Sequence, residues 1–224
     1  MNSNYKVIKF RSNNSKEVDD QISIEEPLEI ILKYKDKENW IENTISITMR
    51  TPGDDEDLVT GFLFSERVIE KINHIDSIEV SGKPVGQYKL KNKVIVTINN
   101  SENVDIDKIK RNFLTNSSCG VCGKTSLESL EIIKKDKIIE SIPKIHHEII
   151  MKSPDILRQN QSEFSKTGGI HASGLFKTSG EVVAIREDVG RHNALDKLIG
   201  FILKRNLLDN SSQFLTCSGR LNFD

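Results

Sequence analysis

The residues with the clearest chemical meaning are Cys119 and Cys122, which form a C-x-x-C motif in the segment SCGVCG at 118–123. They are two of only three cysteines in a chain of 224 residues. A cysteine pair at this spacing holds half of a zinc site, forms and breaks a disulfide, or uses a thiolate that accepts and passes on sulfur. The function depends largely on which of these chemistries applies.

A structural zinc site at this motif requires a second pair of ligands. The other donors are Cys217 and five histidines, and none of these histidines forms a compact pair with Cys217 at the usual spacing. We therefore predict that the protein holds no metal.

The flanking residues Gly120 and Gly123 bear on the choice between redox chemistry and sulfur transfer. A disulfide-exchanging pair normally caps a helix, whose N-terminus lowers the thiol pKa, whereas glycines oppose such ordering. The same glycines suit a mobile loop that reaches two partners in turn. A sulfur carrier is favoured, and a thiol–disulfide oxidoreductase or two incidental loop cysteines are the alternatives.

A second group of chemical side chains is REDVGRHNALDK at 186–197. It follows a short apolar strand, VVAI, and enters a predicted helix at 193–203. Ligands of open α/β sheets bind beyond the carboxyl ends of strands, and a helix N-terminus favours an anion. Arg191 and His192 add donors there, and Asp188 could accept from a base or a sugar. An ordinary solvated helix start explains the pattern equally well.

The third group is TGGIHA at 167–172, in which glycines permit close backbone approach. A lone histidine such as His171 is more often a packing residue than a ligand. The His-Ala pair is similar to the H-A-E motif of zinc nucleoside deaminases. Deamination is not expected, because Ser173 occupies the place of the glutamate and the C-x-x-C precedes the histidine.

The elements that must position these residues divide the chain into a β-rich and an α/β part. Residues 1–20 are predicted to be loose or weakly stranded. Further strands are predicted at 22–34, 40–50, 68–78, 89–90, 94–98, 182–185 and 214–217. Helices are predicted from the acidic segment 54–57 and at 106–114, 127–133, 154–164 and 193–203. The prediction is a mixed α/β (α+β) fold, with a β-rich N-terminal lobe at 1–114, a mobile cysteine loop at 115–126 and an α/β lobe at 127–224.

Composition limits the possible environments and partners. The net charge of −1 gives no basic field of the kind used for general nucleic-acid binding. The first ten residues lack an apolar signal region, and no apolar run approaches the roughly 20 residues that span a bilayer. With so few cysteines, we predict a cytoplasmic protein with reduced thiols, without nucleic-acid or membrane partners.

Taken together, these segments resemble the FdhD/NarQ family, the sulfur-carrier accessory proteins of formate dehydrogenase. The resemblance rests on TPGD at 51–54, GFLFSE at 61–66, SCGVCG at 118–123, TGGIHA at 167–172, EDVGRHNALDK at 187–197 and SGR at 218–220. It implies a C-terminal lobe with a cytidine-deaminase-like α/β/α fold that works without zinc. It also implies a sulfurtransferase that moves sulfur from a cysteine desulfurase to the molybdenum bis-guanine-dinucleotide cofactor and thereby activates formate dehydrogenase.

The resemblance implies roles for individual residues as well. Cys119 carries a cysteine persulfide, and Cys122 helps to release the sulfur or is a spare thiol. GDP is the expected mimic of the cofactor, and relatives suggest a homodimer. The predicted cofactor contacts are Arg191 and Lys197 on the diphosphate, Asp188 and Asn193 on the guanine or sugar, and His171 and His192. A molybdenum-cofactor-binding chaperone without catalysis is a further alternative.

This chain departs from the family pattern in three places. Arg67 stands where a glycine is usual, and Ser173 with Gly174 replaces a pair of small apolar residues. Relatives also continue beyond SGR with further helices and strands. The lobe is therefore expected to be C-terminally truncated, with a loss of stability and of part of the cofactor site.

Overall fold

The computed structural model describes residues 2–12, 14–99, 143–209 and 212–220. Within these ranges the strands are β1 (Asn2–Arg11), β2 (Asn14–Ser23), β3 (Glu26–Asp36), β4 (Asn39–Arg50), β5 (Ile75–Ser81), β6 (Lys93–Ile98), β7 (His171–Lys177), β8 (Val182–Asp188) and β9 (Gln213–Cys217). The helices are α1 (Asp55–Ser65), α2 (His147–Gln159), α3 (Ser162–Thr167) and α4 (Arg191–Arg205), with a 3₁₀ turn at Ile72–His74. The predicted mixed α+β class is confirmed.

Several predictions fall on residues that the structure does not describe. The cysteine loop, the helices at 106–114 and 127–133 and both lobe boundaries lie outside the described residues. These expectations stay predictions.

The N-terminal residues, which were predicted to be loose or weakly stranded, form a regular hairpin. β1 pairs with β2 antiparallel along its whole length. Ion pairs join the strands, with Lys6 Nζ 3.2 Å from Glu17 Oε1 and Lys9 Nζ 3.0 Å from Asp20 Oδ2. The hydrogen bond from Lys9 lowers the pKa of Asp20. Because both faces of the hairpin are largely exposed, the strands lack the apolar alternation by which strands are recognised.

The N-terminal core lies between a four-stranded sheet and α1. The sheet order is β4-β3-β6-β5, and β3 is antiparallel to β4 and parallel to β6. Alternate residues of β3, from Leu28 through Ile30 and Leu32 to Tyr34, are almost completely buried. They pack with Leu58 and other residues of α1. The strands predicted at 22–34 and 40–50 correspond to β3 and β4. The strand predicted at 68–78 begins only at Ile75.

The C-terminal lobe has three layers. Its described sheet is antiparallel with the order β8-β7-β9. On one face, Leu175 packs with Leu198 and Ile202 of α4. On the other face, Ala172 and Phe176 pack with Leu157 of α2. The alternation of side chains along β7 thus supplies both interfaces of an α/β/α sandwich.

Helix α2 begins at residue 147, seven residues before the predicted start at Pro154. Proline lacks an N–H group and normally leaves the carbonyl four residues earlier without its helical partner. Here the hydroxyl of Ser153 donates to the carbonyl of Ile150 at 2.9 Å. This bond satisfies that carbonyl, so the proline lies inside the helix rather than at its start.

The two lobes meet where α1 crosses α4 at a pair of glycines. A Cβ atom on Gly61 would lie 1.9 Å from the carbonyl oxygen of Asp196, and one on Gly200 would lie 1.9 Å from that of Asp57. Each helix therefore approaches the backbone of the other directly. Salt bridges flank the crossing, because Lys204 Nζ lies 2.9 Å from Glu56 Oε2 and 3.1 Å from Asp57 Oδ1.

We predict that Gly200→Ala destabilises the protein by about 1–3 kcal/mol or more, because the helices must separate to admit the methyl group. Helix propensity alone predicts the opposite sign, since alanine in a helix is favoured over glycine by about 1 kcal/mol. Chemical denaturation measures the difference. Gly169→Ala is the control, because a Cβ at Gly169 meets no atom within 4 Å. Equal stability of the two variants would contradict the crossing.

Candidate functional site between the lobes

The six predicted cofactor-contacting residues lie around one junction. β7 begins at His171, which pairs with Asp188 at the end of β8, and α4 begins three residues later at Arg191. The junction thus brings together the side chains of His171, Asp188, Arg191, His192, Asn193 and Lys197. Cys119 and Cys122 lie outside the described residues.

A buried ion pair stands at the centre of this junction. Asp188 is fully buried and Lys197 is 2% exposed, with Lys197 Nζ 2.8 Å from Asp188 Oδ2. Asp188 Oδ2 also accepts the backbone N–H of Thr51 at 3.1 Å. Its Oδ1 accepts the backbone N–H of Gly190 at 2.9 Å and Nδ2 of Asn193 at 3.1 Å. The carboxylate is therefore surrounded by donors, as a buried charge requires.

The same side chains hold the N-terminal lobe. Lys197 Nζ donates to the carbonyl of Thr51 at 2.7 Å, and Asn193 Nδ2 donates to that of Met49 at 2.7 Å. We call Thr51, Asp188, Asn193 and Lys197 the interlobe lock. The predicted contacts of Asp188, Asn193 and Lys197 with a nucleotide stay predictions, and the structure shows that these side chains already have partners between the lobes.

The loop at 51–54 is fixed from its own lobe as well. Arg50, which is 1% exposed, pairs with Asp55 through two bonds, Nε to Oδ1 at 2.8 Å and Nη2 to Oδ2 at 2.9 Å. Between them the chain turns sharply, with φ of 112° at Gly53 and 56° at Asp54. From the sequence, this segment was interpreted as a family motif next to a helix start, and no role was assigned to Thr51. The signal that could have identified Thr51 was its position in the TPGD motif.

A cleft of about 250 Å³ separates this loop from the C-terminal lobe. Loop 51–54 forms one wall, and the start of α3 and the end of β8 form the other. Glu187 on this second wall accepts the backbone N–H groups of Glu163 and Phe164, both at 2.9 Å. Its carboxylate thereby caps α3 from another element. Lys197 of the lock also lines the cleft.

The start of α4 meets the SGR motif on the outer side of the junction. A Cβ on Gly219 would lie 3.2 Å from His171 Nδ1 and 3.3 Å from Arg191 Cβ, so the turn packs closely on both residues. Ser218 Oγ accepts the backbone N–H of Ala172 at 2.9 Å and lies 3.4 Å from His171 Nδ1. The motifs TGGIHA, EDVGRHNALDK and SGR, which are distant in sequence, therefore meet here.

Two features of this outer face would suit an anion. The first turn of α4 contains no acidic residue, and Gly190 before it provides no side-chain cap. The positive end of a helix attracts phosphate and carboxylate groups. Arg191 Nε is enclosed and has no hydrogen-bond partner among the described residues. An anion at the start of α4 would therefore meet both the helix N-terminus and Arg191.

Ser173, which occupies the place of the glutamate in the H-A-E motif of deaminases, is buried. Ser173 is 1% exposed, and its hydroxyl donates to Cys217 Sγ at 3.3 Å. Within the described ranges, the side chains close enough to share a metal ion are the exposed His146, His147 and Glu148, whose ligand atoms lie within 4.8 Å of one another. These three residues lie at the start of α2. The absence of metal from the protein stays a prediction.

Comparisons with known proteins decide the family. A model of the FdhD/NarQ family matches residues 23–224. This chain belongs to the FdhD/NarQ family. It is 38% identical to the sulfur carrier protein FdhD of Sulfurisphaera tokodaii over 98% of the chain and 77% of that protein. It is 44% identical to the one from Picrophilus torridus over 92% of the chain and 73% of that protein.

A solved structure shares the fold of this family member. The crystal structure of a protein described as a formate dehydrogenase accessory protein, from Desulfotalea psychrophila, has a TM-score of 0.66 to this chain. The match covers 98% of this chain and 76% of that one at 24% identity. In the part of the chain that is described, no helix is long and apolar enough to cross a bilayer.

We predict that Lys197→Met lowers the free energy of unfolding by about 3–5 kcal/mol, because Asp188 is left as a buried charge without its counterion. The matched control is Lys177→Met, which removes a solvent-exposed pair with Glu181 and should cost less than about 1 kcal/mol. Urea denaturation of both variants measures the difference. Similar losses at the two positions would contradict the central place of the buried pair.

Proposed function

We propose that this protein is a sulfur carrier that supplies sulfur for the activation of formate dehydrogenase. The observation on which the proposal depends is membership of the FdhD/NarQ family across residues 23–224. Relatives that share 36–44% identity with this chain are named sulfur carrier protein FdhD. The structural neighbour is described as a formate dehydrogenase accessory protein, which supports formate dehydrogenase as the recipient system.

The proposed chemistry begins at Cys119. Its thiolate attacks the outer sulfur of a cysteine persulfide on a cysteine desulfurase, the donor S–S bond breaks, and the donor thiolate leaves. Cys119 then holds the persulfide. If the Cys122 thiolate attacks the Cys119 sulfur, hydrosulfide is released and a Cys119–Cys122 disulfide forms, which must be reduced before another cycle. If Cys122 is instead a spare thiol, a nucleophilic group of the acceptor attacks the outer sulfur directly, the S–S bond breaks and the Cys119 thiolate leaves.

The proposed acceptor is the molybdenum bis-guanine-dinucleotide cofactor, bound as a substrate at the outer face of the junction. A diphosphate carries the negative charge that suits the start of α4. We assign Arg191, His192 and His171 as the side chains nearest to it. A homodimer and a cytoplasmic location complete the proposal, and GDP serves as the probe for the nucleotide half of the acceptor.

We predict that Cys119→Ser abolishes persulfide loading, whereas Cys122→Ser retains it at least in part. The intact mass after incubation with a desulfurase and cysteine should increase by one reductant-removable sulfur atom. Cys217→Ser is the control, because Cys217 lies on β9 in contact with Ser173 and has no part in the proposed loading. Normal loading of Cys119→Ser would contradict the assignment. A stable Cys119–Cys122 disulfide without loading would favour an oxidoreductase, and GDP binding without loading would favour a chaperone.

We predict that Arg191→Ala weakens GDP binding by about 1–3 kcal/mol, the usual loss for a hydrogen bond to a charged group. Arg205→Ala is a matched control at the opposite end of the same helix, where the guanidinium stacks on Phe201 at 3.9 Å. Calorimetric titration with GDP gives both affinities. If the two substitutions have equal effects, the nucleotide does not bind at the start of α4.

We predict that protein purified without added zinc contains less than stoichiometric metal. Elemental analysis of the wild type and of a His146→Ala/His147→Ala variant tests this expectation. One equivalent of zinc that persists in the double variant and disappears with Cys119 would restore the zinc-site alternative for the cysteine pair.

A further inference from the structure

Thr51 lies at the contact between the two lobes. This residue is 4% exposed, and each of its polar groups is held by the segment 188–197 of the other lobe. Its N–H donates to Asp188, its carbonyl accepts from Lys197 at 2.7 Å, and its hydroxyl oxygen accepts the N–H of Val189 at 3.1 Å. Three bonds in different directions fix both the position and the orientation of a residue. Thr51 is also the first residue of the loop that forms one wall of the cleft.

The lock is not needed merely to keep the lobes together. The glycine crossing of α1 and α4 already brings the two lobes into backbone contact, and Lys204 pairs with Glu56 beside it. A buried ion pair is moreover a poor source of stability, because desolvation offsets much of its attraction. Packed apolar residues would serve adhesion at least as well. Hydrogen bonds, in contrast, impose a defined alignment on the groups that they join.

The lock is directly connected to the proposed nucleotide site. Asp188 Oδ1 accepts the backbone N–H of Gly190, the residue immediately before Arg191. Asn193 lies in the first turn of α4 and bonds to both Asp188 and Met49. The carboxylate that holds loop 51–54 therefore also holds the start of α4.

We propose that Thr51, Asp188 and Lys197 are positioning residues that align loop 51–54 of the N-terminal lobe with the start of α4. This inference rests on the proposed function, because the site that they align is the proposed nucleotide site. These side chains act through the backbone groups that they hold rather than through contact with the ligand. The expected consequence is that weakening the lock loosens the loop locally and lowers nucleotide affinity, even where the chain remains folded.

Two variants weaken the lock without leaving an unpaired charge. Asp188→Asn/Lys197→Met neutralises both partners with side chains of similar size. Thr51→Val preserves the shape of residue 51 and removes the hydroxyl that accepts the N–H of Val189, whereas Thr51→Ser restores the hydroxyl. Lys204→Gln is the control, because it removes two cross-lobe ion pairs, with Glu56 and Asp57, near the C-terminal end of α4.

Hydrogen exchange of the peptide that covers residues 51–54 is the first measurement, with the peptide of β3 as an internal reference for global unfolding. GDP affinity is the second. We expect both lock variants to exchange faster at 51–54 but not in β3. GDP affinity should fall about tenfold in the double variant and several-fold in Thr51→Val. Thr51→Ser should recover most of the affinity, and Lys204→Gln should match the wild type in both measurements.

Each outcome decides the inference. The positioning role is wrong if the peptide 51–54 exchanges hydrogen at the wild-type rate in the variants. It is also wrong if a folded double variant binds GDP within about twofold of the wild-type affinity. If the double variant does not fold, the comparison of Thr51→Val with Thr51→Ser decides alone. If the wild type does not bind GDP, the proposed nucleotide site fails, while the exchange rates still show whether the lock holds the loop.

Discussion

The arrangement of this molecule depends on the buried pair of Asp188 and Lys197. Removing two charges from water costs several kcal/mol for each ion, which their attraction repays only if the geometry is good and the remaining polar atoms are bonded. Here the carboxylate accepts from Thr51, Gly190 and Asn193 as well as from the ammonium group. Because Thr51 belongs to the N-terminal lobe, the full set of bonds to both charges forms only when the lobes lie in this relative position.

The close crossing of α1 and α4 makes that relative position possible. Glycines at 61 and 200 bring the two helices into backbone contact, and the acidic start of α1 then lies near basic residues of the other lobe. Arg186 Nη2 lies 3.4 Å from Asp57 Oδ2, and the Arg186 guanidinium stacks on Phe201 at 3.8 Å. Burial alone would lower the pKa of Lys204, but hydrogen bonds to Glu56 and Asp57 outweigh it and leave that pKa raised. Packing brings the lobes together, and the charged groups select one alignment.

One short segment therefore serves two purposes. In the stretch 188–197, the buried Asp188, Asn193 and Lys197 hold the other lobe, whereas Arg191 lies at the start of α4 beside Gly219, which also contacts His171. In a helix, residues four positions apart share a face, as Asn193 and Lys197 do, whereas neighbouring residues point in different directions. A motif of this kind combines residues that contact a ligand with residues that align the contact surface, and spacing alone does not separate the two groups.

Most of the regular elements and the family could be predicted without the structure. β3, β4, β8, α4 and β9 were predicted from the type and spacing of their apolar residues, and α1 from the acidic residues at its start. The C-x-x-C, GGIHA and SGR motifs together identified a sulfur carrier family. The hairpin β1–β2 was predicted only as loose or weakly stranded, and the early start of α2 was missed, since cross-strand ion pairs and the bond from Ser153 to Ile150 lie outside hydropathy patterns. The partners of Asp188, Asn193 and Lys197 became known only from the fold. Those partners include backbone groups of Thr51 and Met49, about 140 residues earlier, and a backbone group has no signature in the sequence.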